Sequence, residues 1–379
     1  MSSADNPAAS ICPVQWDRAL ELARDLCRQD QLPAVAIHCG RRDSSTGTVH
    51  IGRQRVAADS EPLRDDAIFL VASITKPIVA MGAMLLVERG QLLLGDRVRD
   101  ILPIFRGQKK NGITVRHLLT HTSGLPDMLP NNRELRVAHS PLSAFVEGAA
   151  RAELHFPPGR GVKYQSMGFA TIGAVIERIS GVSCPEFLHR EFFEPLQMHD
   201  TSLGAPPAWF EGSAPKADRI AEIRVPAGDD VETSWDWNSR YWRTLGAPWG
   251  GLLTTPADLA RFARMMLGRG SLEGRRILSP ATIAVATENQ LPGFSELTEG
   301  DRTGRPWGLG WRLRWPGHSE NFGDLLGPNM YGHWGATGTL LWIDPEQNCF
   351  AIVLTTQPQE PRGLWLARLS NALSAAFES

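Results

Sequence analysis

Lysine and tyrosine are scarce in this 379-residue sequence. It holds 5 lysines against 34 arginines, and tyrosine occurs only at 164, 241 and 331, while tryptophan occurs 12 times. A motif that demands a lysine or a tyrosine therefore arises by accident less often here than in an average chain. Cysteine is limited to positions 12, 27, 39, 184 and 349, an odd number with no C-x-x-C pair. That excludes a disulfide scaffold and predicts reduced, buried thiols in a cytosolic protein. No long hydrophobic run exists: the stretch Ile78 to Val87 is interrupted by Gly82 and is far shorter than the ~20 residues a membrane helix needs. Charge of one sign is lacking too. A formal net charge of −2 gives no general attraction to nucleic acid or to an anionic membrane surface, so neither is expected as a partner. Met1 to Trp16 carries neither a basic region nor an apolar block, which predicts no secretory signal and a cytoplasmic location.

What is present suffices for a sizeable core: 42% of residues are hydrophobic. Helical spacing of apolar residues predicts a first helix over Val14–Arg28. Ala34–Cys39 and Thr48–Ile51 read as a hairpin joined by the polar residues 43–47, and Trp307–Trp315, Gly338–Ile343 and Cys349–Thr355 read as strands. A last helix is expected over Gly363–Phe377. Between these ends the pattern is mostly helical, as in Ile74–Arg89, Leu142–Glu153, Gly168–Ile179 and Pro256–Leu267, the last with Thr255 as N-cap before Pro256. The prediction is an α+β fold. One sheet, built from both chain ends (1–72 and 300–379) and flanked by helices, carries a mainly helical inserted part (73–299), all in a single domain, 1–379. Gly204–Gly251 stands apart. It is rich in Gly, Pro and Trp (209, 235, 237, 242, 249), and a long irregular stretch of this kind is usually functional or mobile. Each tryptophan alone is best read as core; together they are expected to shape an apolar acyl or alcohol pocket.

Ser73-Ile-Thr-Lys76 is the sharpest chemical signal. At the start of a helix, residues three apart lie on one face with Cβ atoms ~5–6 Å apart. An amine can there take a proton from a serine hydroxyl. With 24 serines and 5 lysines, about 0.3 S-x-x-K matches arise by chance. A second match, Ser213–Lys216, falls in the irregular stretch where no helix fixes the pair, and is read as a decoy.

Order along the chain makes the signal specific. Ser73-x-x-Lys76, Tyr164-Gln-Ser166 and His333-Trp-Gly335 resemble the three ordered motifs of the serine β-lactamase and penicillin-binding-protein superfamily. His117–Leu125, Phe156–Gly159, Glu194–Met198, Gly250–Leu259, Trp307–Trp311 and Gly335–Thr339 resemble the class C branch and its related carboxylesterases, over roughly residues 15–375. The resemblance implies an antiparallel β-lactamase-type sheet with flanking helices. It implies Ser73 as nucleophile, Lys76 as its activating partner and Tyr164 as second basic group. The backbone amides of Ser73 and Ala336 would form the oxyanion hole, and Ser166, His333, Trp334 and Gly335 would line the substrate site. No metal or cofactor is implied, and the partner is a small ester or amide.

Which group first deprotonates Ser73 stays open at this level. A phenolate at pH 7 needs its pKa lowered by ~3 units, about 4 kcal/mol. One ammonium ~4 Å away at an effective dielectric of 20 supplies that much, and neutral Lys76 as the base stays open beside it. Two departures from the usual pattern shift the expected chemistry. Ser166 stands where asparagine is usual, removing an amide that orients an acyl-amide substrate. His333 stands where lysine is usual and is mostly neutral at pH 7. Both point from β-lactams toward esters. The alternatives are a β-lactamase, D-amino-acid amidase or peptidase, and a non-catalytic binding relative. His117 and His121 have helical spacing, but no Glu follows His117, so they are read as structural and not as a zinc site. Gly268–Gly274 follows a helix and reads as a turn, Tyr331 as a pocket wall or sheet residue, and no G-x-S-x-G elbow is present.

Overall fold

The computed structural model describes residues 11–107, 109–225, 235–314, 321–359 and 364–378. Its centre is a six-stranded sheet in the order Ser45–Gly52, Ala34–Arg41, Cys349–Thr355, Thr339–Asp344, Tyr331–Gly335, Arg312–Leu313. Every neighbouring pair is antiparallel. The fold is α+β, and the two chain ends meet at the pairing of Ala34–Arg41 with Cys349–Thr355.

Period-2 alternation divides the apolar side chains between two cores. Val35, Ile37, Leu340, Trp342, Ala351 and Val353 pack with the terminal helices Pro13–Arg28 and Trp365–Ser374. Ala36, Leu341, Ile343, Phe350, Ile352 and Leu354 face the larger helical body. Within that body the helix Thr75–Glu88 is apolar nearly all round and buried along most of its length, as a central core helix must be. Gly82 makes its close packing possible, because a Cβ there would lie 2.8 Å from Leu188 Cδ2. A small sheet of Phe69–Leu70, Leu252–Thr254 and Ser202–Leu203 ties the irregular region to the segment just ahead of Ser73.

Several expectations need correction. Of the strand expected over Trp307–Trp315, only Arg312–Leu313 is extended in the sheet. Trp307 makes an isolated bridge to Arg312, because Gly308 and Gly310 bend the chain back, Gly310 at φ +79°. Trp315 and Gly363 lie outside the described residues. Leu142–Arg151 stops short of Glu153 because Ala152 turns extended. Trp209, Trp242 and Trp249 are core residues, and Trp235 and Trp237 pack half-buried against the same core. Cys39, Cys184 and Cys349 are buried, but Cys12 and Cys27 are only half-buried. Thr255 does cap Pro256–Leu267, its hydroxyl accepting from the Asp258 amide at 3.2 Å.

Candidate active site

Ser73 sits in a single 3₁₀ turn, Ala72–Ile74, between the strand Phe69–Leu70 and the helix Thr75–Glu88. Ala72 holds φ +45°, a conformation that a non-glycine residue adopts at a cost of about 1–3 kcal/mol. What holds it is visible. Three consecutive carbonyls before Ser73 each accept from a buried threonine hydroxyl: Leu70 from Thr337 at 2.7 Å, Val71 from Thr339 at 2.9 Å, Ala72 from Thr75 at 2.6 Å. Thr337 lies in the turn after Tyr331–Gly335 and Thr339 opens the next strand, so the nucleophile turn is fastened to the sheet.

Lys76 is fully buried. Its Nζ lies 2.9 Å from Ser73 Oγ and donates to the Trp249 carbonyl at 2.8 Å. Burial pushes its pKa down to about 7, with Asp127 pulling it up and Arg312 adding to the depression. Tyr164 is half-buried, shares a side-chain hydrogen bond with Ser73, and has its ring centroid 4.7 Å from Lys76 Nζ. Burial raises the phenol well above its ordinary value, against the pull of Arg312. The environment thus favours a neutral amine beside a neutral phenol, both on one serine hydroxyl.

Gly335 comes against this turn: a Cβ on it would lie 2.3 Å from the Val71 oxygen and 3.1 Å from Ala72 Cβ. Ala336, next along the chain, is exposed. His333 is buried and faces the Tyr164 ring at 6.0 Å. Its Nδ1 lies 2.6 Å from the Trp334 carbonyl, which fixes that nitrogen as the donor; Nε2 is buried without a partner. Burial, with Arg312 and Lys76 nearby, holds the imidazole neutral, well below its ordinary pKa.

Two of the expected substrate residues are placed differently. Ser166 is buried, and both its amide (2.9 Å) and its hydroxyl (2.6 Å) donate to Asp127 Oδ1. Its side chain is therefore engaged with a carboxylate. The Trp334 ring packs edge-on against Phe322 at the core under the terminal helices, and it carries the Arg312 guanidinium 3.7 Å from its centroid. The decoy pair separates as expected: Lys216 bonds to the His199 carbonyl and pairs with Asp200 at 2.9 Å. His117 accepts from the Thr114 amide at the start of its helix, and His121 accepts from the Gln165 amide and lies 4.8 Å from the Tyr164 ring. Tyr331 is a buried sheet residue, edge-on to Trp311.

Three contributors escaped the sequence reading. Asp127 directly follows the His117–Leu125 signature and Pro126. It is half-buried and walls a groove of about 540 Å³ lined also by Met128, Leu154, His155 and Lys163. Arg312 follows Trp307–Trp311 and stacks over Tyr164 at 4.9 Å and Trp307 at 4.6 Å. Trp249 contributes through its carbonyl, which no side-chain motif reveals.

A family model described as Beta-lactamase matches residues 20–373. Penicillin-binding protein 4 of Amycolatopsis lactamdurans is 32% identical over 331 residues, covering 85% of this chain and 79% of that protein. Esterase EstB of Burkholderia gladioli is 30% identical over 324 residues, covering 76% and 79%. The crystal structure of a family VIII carboxylesterase superposes with a TM-score of 0.77 at 21% identity, covering 97% of this chain and 98% of that one.

Proposed function

The chain belongs to the β-lactamase family of serine hydrolases, and from that premise we propose that it is a carboxylesterase acting through an acyl-enzyme on Ser73. The observation that carries this reading is the depressed lysine within 2.9 Å of a half-exposed serine hydroxyl. Neutral Lys76 takes the Ser73 proton as Oγ attacks the ester carbonyl carbon. The oxyanion that forms is held by the Ser73 and Ala336 amides. Tyr164 gives its proton to the departing alkoxide and regains one from the Lys76 ammonium. Water then enters where the alcohol left, and the same groups run in reverse to release the acid.

Ester substrates are favoured over β-lactams by two features. No amide side chain stands at position 166, where a hydroxyl tied to Asp127 replaces it. His333 supplies no fixed charge. The names of EstB and of the family VIII structure support the same choice. Kinship with penicillin-binding protein 4 favours the second reading, a peptidase, amidase or β-lactamase. Purified protein assayed side by side on p-nitrophenyl butyrate and nitrocefin separates them: a kcat/KM higher on nitrocefin overturns the esterase reading. Absence of covalent labelling by a fluorophosphonate overturns both in favour of a non-catalytic binding role.

A further inference from the structure

His121 brings a buried polar group that packing alone does not require. It is fully buried and holds left-handed backbone at φ +60°, a region that histidine and asparagine enter more readily than most residues. Its carbonyl accepts the Lys163 amide at 3.0 Å, and its Nδ1 accepts the Gln165 amide at 3.1 Å. A ring nitrogen that accepts from an amide carries no proton, so the neutral imidazole holds its hydrogen on Nε2. Burial, with Lys76 and Arg312 facing it, keeps the ring neutral, well below its ordinary pKa. Among the described residues Nε2 has no partner, and a buried donor left unpaired costs about 1–3 kcal/mol. An apolar ring would fill the same space without that donor. What it does not supply is the acceptor at Nδ1.

The two acceptors of His121 bracket Tyr164, because the amides they hold belong to the residues on either side of it. The imidazole also lies against the phenol, 4.8 Å between centroids and tilted by 32°, with Trp307 at 4.1 Å and Phe169 at 5.5 Å closing around it. Gln165 is latched a second time: its side chain donates to the His117 and Leu118 carbonyls, each at 3.2 Å, and accepts from Ser123 Oγ. The chain on both sides of the phenol is thus fixed, while its hydroxyl is left to share a hydrogen bond with Ser73.

We propose that His121 is the positioning residue of Tyr164: by accepting the Gln165 amide it sets where the phenol stands when the leaving alkoxide is protonated. The proposal rests on the reading of Tyr164 as the proton donor in ester cleavage. A general acid helps only where the leaving oxygen is basic enough to need the proton. An alkoxide departs poorly without it, whereas p-nitrophenolate, a far weaker base, departs unaided.

The test therefore compares two esters of one acid, ethyl butyrate and p-nitrophenyl butyrate, in kcat/KM. His121→Phe keeps a ring and loses the acceptor. It should lower kcat/KM on ethyl butyrate by roughly 10-fold to 100-fold, part of the ~10²–10⁴ that a placed acid supplies, and on p-nitrophenyl butyrate by less than about threefold. Equal losses on the two esters, or no loss on either, overturn the proposal and leave His121 a packing residue. His121→Asn loses the ring but keeps an acceptor near the Nδ1 position and tolerates φ +60°. It should hold the ratio between the two esters within about threefold of wild type, and it carries the test should His121→Phe fail to fold: a ratio that falls by tenfold or more overturns the proposal. In a Tyr164→Phe background, His121→Phe should cost less than about threefold more on ethyl butyrate, because a residue that acts through another has nothing left to place; a further tenfold loss overturns it. A last arm needs no turnover. In hydrogen-exchange mass spectrometry the peptide holding residues 163–166 should exchange at least about tenfold faster in His121→Phe than in wild type, with the helix Pro256–Leu267 unchanged, and equal exchange overturns the proposal. If the wild type hydrolyses neither ester, the hydrolase reading fails, and this arm still decides whether His121 holds the Tyr164 segment.

Discussion

Lys76 and Trp249, 173 residues apart in sequence, meet through a 2.8 Å hydrogen bond from the lysine Nζ to the tryptophan carbonyl. The same Nζ reaches Ser73 Oγ at 2.9 Å. An amine that donates to a fixed carbonyl keeps a lone pair for the serine proton only while it is neutral. Burial, by lowering its pKa to about 7, makes that form available near neutral pH. The expected pH profile of kcat/KM therefore rises through about pH 7 and then levels. Asp127 pulls the Lys76 pKa upward, so Asp127→Asn should move the rising limb toward acid. A limb that shifts toward base in that variant contradicts the electrostatic account.

The same burial bears on stability. The unfolded lysine titrates at its ordinary value of 10.5 and the folded one at about 7, so between these values the unfolded chain binds more protons. Stability is thus greatest at high pH, falls as pH drops from 10.5 toward 7, and loses nothing further from this group below that. Lys76→Met should therefore raise Tm at pH 7, by an effect on the order of 2–4 kcal/mol less what its two hydrogen bonds contribute. The gap between variant and wild type should narrow at pH 10. A gap independent of pH, measured by thermal melts across this range, would show that Lys76 is not the titrating group.

Ser73 is half-exposed in its turn, so Ser73→Ala removes a nucleophile without opening a cavity. Turnover should fall by as much as ~10⁶ with Tm little changed. Mass spectrometry after fluorophosphonate treatment should place the label on the Ser73 peptide. Ser213→Ala should behave as wild type, because Lys216 is paired with Asp200. A label on Ser213 would reverse the choice between the two motifs.

How far the sequence reveals this molecule depends on the kind of contact. Ala34–Arg41, Cys349–Thr355 and Pro256–Leu267 fall where periodicity and capping place them, because burial of alternating or helical faces is a local pattern. Ser73 and Lys76 are legible for the same reason: one helical turn sets their distance. Arg312 and Asp127 are not. Among 34 arginines, nothing local marks the one that the edge strand lays over Tyr164, and the Asp127–Ser166 bond joins residues 39 positions apart. The tryptophans of the irregular stretch illustrate the converse. Composition made them a candidate pocket, yet burial took Trp209, Trp242 and Trp249 into the core, and the contribution to Lys76 comes from a backbone carbonyl.

Tyr164→Phe distinguishes the two routes by which Ser73 can lose its proton. If Lys76 is the base, the variant keeps a rising limb near pH 7 while kcat and kcat/KM fall together by ~10²–10⁴, since only the proton donor to the leaving alcohol is gone. If a phenolate is the base, the limb itself disappears. A raised KM with kcat preserved would make Tyr164 a wall of the pocket. Tyr241→Phe should retain most activity, because that hydroxyl only donates to the Ser140 carbonyl.

The oxyanion hole is tested at Gly335. Its Cα hydrogen occupies the one direction in which the strand can approach the nucleophile turn. A methyl group there would lie 2.3 Å from the Val71 oxygen and 2.3 Å from Thr339 Oγ1. Both atoms belong to the hydrogen bond that fastens this turn to the sheet, so neither can yield without breaking it. Gly335→Ala should therefore part the strand from Ala72 and carry the Ala336 amide away from the position an oxyanion takes. Losing one such donor reduces kcat by about 10²–10³, whereas ground-state binding of a neutral ester makes less use of it, so KM should change by much less. Thr339→Val removes the same hydrogen bond without adding bulk at residue 335. It leaves the Val71 carbonyl with the Ile74 amide, at 3.2 Å, as its remaining donor, at a cost of about 0.5–1.5 kcal/mol in stability, while the Gly335 approach stays sterically open. If Gly335→Ala keeps kcat within threefold of wild type on p-nitrophenyl butyrate, Ala336 is not an oxyanion donor. If Thr339→Val lowers kcat as much as Gly335→Ala does, the hydrogen bond itself, and not only the absent Cβ, sets the position of that amide.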